Sequence, residues 1–156
     1  MMRIKVAGLM KSSVGTVNTY QIDDTIGLDG DGSCLLQGEA SLVRTQKGVL
    51  VIASFPVRVP LVCSRCLSQF EAPVALDMKE EFLPTSATHT PLAPGEEAFT
   101  ITGGLEVDLG EAMRQYVVLA LPLKPLCRPN CAGLCPRCGS NLNLGPCGCS
   151  PSQSRN

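Results

Sequence analysis

Eight of the nine cysteines in this chain fall into four close pairs, and no other feature constrains its folding as strongly. Cys63-Ser-Arg-Cys66 lies near the middle. Cys127-Arg-Pro-Asn-Cys131, Cys135-Pro-Arg-Cys138 and Cys147-Gly-Cys149 crowd into the C-terminal tail. A tetrahedral zinc ion takes four thiolates, commonly delivered as two short-spaced pairs. Four pairs therefore predict two zinc ions. Four sulfurs leave no open position for water, which makes such centres structural rather than catalytic. Iron is the competing metal, because CPxCG also occurs in rubredoxin-like sites. The scarcity of aromatics around the pairs favours zinc.

The spacing leaves the grouping of the pairs open. In a local solution Cys135, Cys138, Cys147 and Cys149 share one ion, closing a loop of eight residues. Cys63, Cys66, Cys127 and Cys131 then share the other, across 60 intervening residues. Closure entropy grows slowly with length, so the long loop is tolerable. An interleaved solution joins Cys63 and Cys66 to Cys135 and Cys138. Cys34 stands apart in an apolar context and reads as a small buried hydrophobe.

The odd cysteine count, with no apolar leader in Met1–Val6, argues against a disulfide scaffold. We therefore expect a cytoplasmic protein with reduced thiols. The longest uncharged apolar run, Tyr116–Leu123, is far too short to span a membrane. With 156 residues the chain can build one ordinary core and a small appendage. Trp is absent and aromatics make up 4%, so that core must be aliphatic.

The periodicities predict an α+β fold: a mainly antiparallel β-sheet or partial barrel, one packed amphipathic helix, and a C-terminal zinc-ribbon-like segment. Residues 2–6 read as a short strand. Residues 11–32 read as polar loop, with Asp29-Gly30-Asp31-Gly32 as a turn. Leu35–Arg44 and Val49–Val59 form a hairpin around Thr45-Gln46-Lys47-Gly48, with Gly48 where positive φ is needed. Val49, Val51, Ala53, Phe55, Val57 and Val59 share one face, which marks a half-buried strand. Phe70–Phe82 reads as the next strand, which puts Cys63 and Cys66 at a strand–turn–strand tip. Residues 83–98 read as a loop or linker containing the single histidine, His89. Gly103-Gly104 marks a turn. Asp108-Leu-Gly-Glu111 reads as a capping box opening a helix with Leu109, Ala112, Met113, Tyr116, Val117 and Ala120 on its apolar face, ended by Pro122. The domain division expected is a β-rich domain over 1–122 and a cysteine-rich tail over 123–156, the tail folding around metal.

Residues 112–156 carry Arg114, Lys124, Arg128, Arg137 and Arg155 and no acidic residue, a formal +5. Residues 1–111 stand at -6. A basic tail favours nucleic acid, but each Zn(Cys)4 centre is formally -2 and offsets much of it. No nucleophile–base pair, P-loop or dinucleotide fingerprint is present, so no enzyme activity and no small-molecule substrate are expected.

The run LALPLKPLC (119–127), then CAGLCPRCGSNLN (131–143) and CGC (147–149), with VCSRCLSQF (62–70) upstream, resembles the bacterial YceD family, named for large ribosomal RNA subunit accumulation. The resemblance spans roughly residues 50–150 and includes EVDLGEAMRQYVVLALP. It implies a non-enzymatic cytoplasmic ribosome biogenesis factor, supporting synthesis, processing or accumulation of large-subunit ribosomal RNA. By the motif match the eight paired cysteines are the family's metal-type cysteines. Partners would be ribosomal RNA, a pre-ribosomal particle or a ribosomal protein, with Lys124, Arg128 and Arg137 facing phosphates and Ser140, Asn141 and Asn143 as neutral donors. The alternatives are a thiol/zinc redox or metal-handling protein, which needs exposed low-pKa thiols, and a zinc-stabilised protein–protein adaptor.

Overall fold

The computed structural model of the chain describes residues 2–28, 32–87 and 99–149. His89, most of the expected 83–98 linker and the turn at Asp29–Asp31 lie outside them. Two compact units are present. The first comprises Met1–Val59 with Pro73–Leu121, and the second Pro60–Ala72 with Pro122–Asn156.

The first unit is a strand-rich α+β body. Its elements are β1 (Arg3–Lys5), α1 (Ala7–Lys11), β2 (Val17–Gly27), β3 (Ser33–Arg44), β4 (Val49–Val62), β5 (Gln69–Pro84), β6 (Thr100–Ile101), β7 (Glu106–Asp108) and α2 (Leu109–Ala120). The ends of β4 and β5 run on into the second unit. A five-stranded sheet has the order β2-β3-β4-β5-β6, and β1 pairs with β7 separately. The β2–β3 and β3–β4 pairings are antiparallel. The short connection 63–68 makes β4 and β5 a hairpin, since parallel neighbours need a crossover of about a dozen residues. β6 runs parallel to β5, at Leu83↔Thr100 and Pro84↔Ile101.

The predicted hairpin forms with Arg44 opposite Val49, and all six residues of the Val49–Val59 face are buried. Gly48 is needed for a different reason from the one expected. It is not in the left-handed region; instead a Cβ there would lie 2.0 Å from the Phe82 carbonyl oxygen. In α2, Asp108 caps through its side chain, accepting from the Gly110 N–H at 3.0 Å. Among the described residues Glu111 accepts from Arg114 and Gln115 instead of completing a capping box. Leu109, Ala112, Met113 and Val117 are buried, Tyr116 is half-buried and Ala120 is exposed.

The segment read as polar loop, 11–32, holds β2. All 11 residues of β2 pair with β3, yet only Ile22 and Ile26 are buried. An edge strand with one thin apolar stripe leaves little period-two signal. The strand expected at Phe70–Phe82 extends in both directions, to Gln69 and Pro84. Cys34 on β3 is buried, and burial pushes its thiol pKa up.

Candidate metal centres

Among its described residues the second unit has almost no conventional core. Cys63, Cys66 and Cys131 form its buried centre, with Phe70, Leu126, Cys127 and Leu134 packed around them, partly exposed. Such a segment has too little apolar surface to offset its conformational entropy unaided.

The sulfurs fall into two tetrads, Cys63/Cys66/Cys127/Cys131 and Cys135/Cys138/Cys147/Cys149, each with its four sulfurs within 4.8 Å of one another. This is the local grouping, not the interleaved one. Cys63 Sγ lies 3.7 Å from Cys131 Sγ, and Cys66 Sγ lies 3.7 Å from Cys127 Sγ. A tetrahedral ion about 2.3 Å from each sulfur sets neighbouring sulfurs about 3.8 Å apart. A disulfide would draw them to about 2.0 Å, and all nine cysteines are free. The donor set and its spacing fit a closed tetrahedral metal.

Two loops of the same build present half of each tetrad. In Cys63-Ser-Arg-Cys66-Leu-Ser68, the Cys63 N–H donates to the Ser68 carbonyl (2.9 Å) and the Leu67 N–H to the Cys63 carbonyl (3.0 Å). In Cys135-Pro-Arg-Cys138-Gly-Ser140, the Cys135 N–H donates to the Ser140 carbonyl (2.8 Å) and the Gly139 N–H to the Cys135 carbonyl (2.9 Å). Each loop folds its backbone over its own sulfurs. The Arg137 N–H points at Cys135 Sγ (3.5 Å), and Ser140 Oγ lies 3.1 Å from Cys138 Sγ. The repeat C-x-R-C-x-S was visible in the sequence and is the signal that would have identified Ser68 and Ser140 as site residues.

These contacts set the thiol acidities. The Cys63 thiol is drawn down to about 6, first by the Cys127 N–H and then by that of Cys66. Cys138 is drawn down to about 6 by the Ser140 hydroxyl and N–H. The Ser68 hydroxyl and N–H lower Cys66, and the N–H groups of Cys138 and Arg137 lower Cys135. At the other extreme, burial followed by the neighbouring Cys66 sulfur pushes Cys127 up to about 12. Cys149 is pushed up to about 12 by its bond with Cys138 and by burial. In each tetrad two thiols are thus drawn down and at least one is pushed up. A divalent cation at the centre would favour the thiolate form of its ligands.

Lys124, Arg128 and Arg137 are all exposed residues of the second unit, and Arg128 Nε reaches Asn143 Oδ1 at 3.3 Å. Ser140, Asn141 and Asn143, expected as neutral donors to RNA, make contacts inside the unit. Asn141 donates to Ser68 Oγ (3.2 Å) and Asn143 to Cys131 Sγ (3.3 Å).

The family profile described as large ribosomal RNA subunit accumulation protein YceD matches residues 53–156, a stretch that contains both tetrads. The chain belongs to the YceD family. Among curated relatives of this YceD chain, uncharacterised proteins of Mycobacterium tuberculosis and Mycobacterium bovis are each 33% identical over 117 residues, covering 74% of this chain and 56% of theirs. The chain thus spans about half the length of these relatives. A Zea mays protein named large ribosomal RNA subunit accumulation protein YCED homolog 1, chloroplastic, is 43% identical over 47 residues, 30% of this chain and 16% of its own. No solved structure matches the chain significantly. Among the described residues, no helix is long and apolar enough to cross a membrane.

Proposed function

We propose that this YceD protein is a non-enzymatic ribosome biogenesis factor that supports synthesis, processing or accumulation of large-subunit ribosomal RNA, with a structural zinc ion in each tetrad. The observation that carries the reading is the family match over 53–156, which takes in both tetrads. Sulfur-only coordination supports zinc as a fold-forming ion rather than a Lewis acid, since no position is left for substrate. The reading places the protein in the cytoplasm, with pre-ribosomal particles as its partners. Lys124, Arg128 and Arg137 would meet phosphates, a backbone contact suited to a chain with few aromatics for base stacking.

In-cell crosslinking of the tagged protein, with sequencing of bound RNA and mass spectrometry of bound protein, tests this reading. Crosslinks focused on large-subunit ribosomal RNA or its precursor particles are expected. Crosslinks confined to one protein unrelated to the ribosome would contradict it. If phosphates are contacted, the salt slope of RNA affinity should fall by about one for each of Arg128→Glu and Arg137→Glu.

A redox reading draws on Cys138, an exposed thiol with a lowered pKa. It requires reversible metal release by mild peroxide, and a centre that resists oxidation removes it.

A further inference from the structure

The two tetrads are joined by more than proximity in sequence. The segment between Cys138 and Cys147 is the loop that the second tetrad closes, and it supplies the outer shell of the first. Asn143 Nδ2 donates to Cys131 Sγ at 3.3 Å. Asn143 Oδ1 accepts from the Ala132 N–H at 2.8 Å and from the Arg128 side-chain Nε at 3.3 Å, holding the backbone just after Cys131 and the side chain of a residue before it. Asn143 is itself fixed by Asn141, whose Oδ1 accepts from the Asn143 N–H (3.0 Å) and from Nδ2 (2.8 Å). Asn141 Nδ2 donates to Ser68 Oγ (3.2 Å), and that oxygen lies 3.4 Å from Cys66 Sγ. The Leu142 N–H donates to the Gly133 carbonyl at 2.9 Å, two residues beyond Cys131. One short loop therefore reaches a cysteine from each half of the first tetrad.

We propose that loop 139–146 couples the two centres, with Asn143 as the positioning residue, so that metal in the second tetrad raises the affinity of the first. The physical reason is conformational entropy. Free of its anchors at Cys138 and Cys147, the loop must be ordered when the first centre fills; with the second centre loaded, that ordering has already occurred. Coupling is reciprocal, so metal in the first tetrad tightens the second by the same factor. A bond from an outer-shell donor to a ligand commonly changes metal affinity 10–100-fold. The inference rests on the reading of both tetrads as metal centres.

The test uses the full chain, reduced and stripped of metal, titrated with Co2+ and then with Zn2+ in competition with a chromophoric chelator. Cys147→Ser/Cys149→Ser leaves the first centre alone, and Cys63→Ser/Cys66→Ser leaves the second alone. The product of the two wild-type binding constants is expected to exceed the product of the two isolated-site constants by about tenfold or more. Asn143→Ala keeps all eight thiols, so it covers the case in which a serine variant fails to fold. It should still bind two ions, lose about tenfold in one of the two constants, and shift the thiolate-to-cobalt charge-transfer band, because Cys131 loses its N–H donor. Two ions bound independently, with Asn143→Ala matching wild type in constants and spectrum, would overturn the coupling alone. A wild-type chain that binds neither ion would overturn the metal reading together with it.

Discussion

Leu67 and Gly139 hold the same position in the two cysteine loops, and both sit in left-handed backbone, with φ of 59° and 74°. Each follows the second cysteine of its C-x-R-C run, and each donates its N–H to the first cysteine's carbonyl. The loop geometry demands this conformation whichever residue is present. Glycine adopts it freely, whereas a side chain costs about 1–2 kcal/mol. Leu67 is 63% exposed and gains little burial in return. Leu67→Gly is therefore expected to stabilise the metal-loaded protein by up to about 1 kcal/mol, and Gly139→Ala, with open space around its Cβ, to destabilise it by about 1 kcal/mol. Chemical denaturation of both variants checks the pair. A neutral Gly139→Ala would show that the loop relaxes.

Gly48 closes the β3–β4 hairpin against the Phe82 carbonyl, and a Cβ placed 2.0 Å from that oxygen has nowhere to go. The obstacle is backbone, so no rotamer change relieves it. Gly48→Ala should cost about 1–3 kcal/mol or more, as overpacking does. Thermal unfolding is the measurement, and an unchanged midpoint would contradict the packing described.

Tyr116 on α2 donates its hydroxyl to Glu80 on β5 at 2.6 Å. Burial first, and then this bond to Glu80, raises the phenol pKa. A pKa raised by folding gives stability that is fully present below the unfolded value, about 10 for tyrosine. That stability is lost as pH rises through the folded value. Tyr116→Phe should cost about 1–2 kcal/mol at neutral pH. The gap between wild type and variant should narrow as pH climbs above about 10. A gap independent of pH between 8 and 11 on the order of these values would remove the ionisation argument.

Removing metal should unfold the second unit selectively. Its buried centre consists of cysteines, with Phe70, Leu126 and Leu134 only partly covered. The first unit has its own core, including Leu36, Leu42, Leu76, Met78, Phe82 and Met113. A strong chelator should collapse the amide dispersion of residues 60–72 and 122–149 while the first unit's resonances persist. Survival of both sets would mean that the sulfurs pack without an ion.

What could be read from the chain beforehand follows physical lines. The β3–β4 hairpin and α2 announce themselves because each has a long, regular apolar face. β2 does not, with two buried residues in 11. α1 spans five residues without a side-chain cap, and although β1 was legible as a short strand over residues 2–6, its partner more than a hundred positions away, with Arg3 opposite Asp108, was not. Short-spaced cysteines are legible because ligand spacing is local. The roles of Asn141 and Asn143 are not, because an amide's partner is decided by tertiary contact. Gly48 was legible as a required glycine but not for the right reason, since Phe82 lies 34 residues further along the chain.

The proposed function puts a zinc ion in each of the two sulfur tetrads. Native mass spectrometry and elemental analysis of the full chain, purified under reducing conditions, address it directly. The account predicts two zinc ions per chain and no visible absorbance. A chain without metal, or one carrying iron with sulfur-to-iron charge-transfer bands, would contradict it.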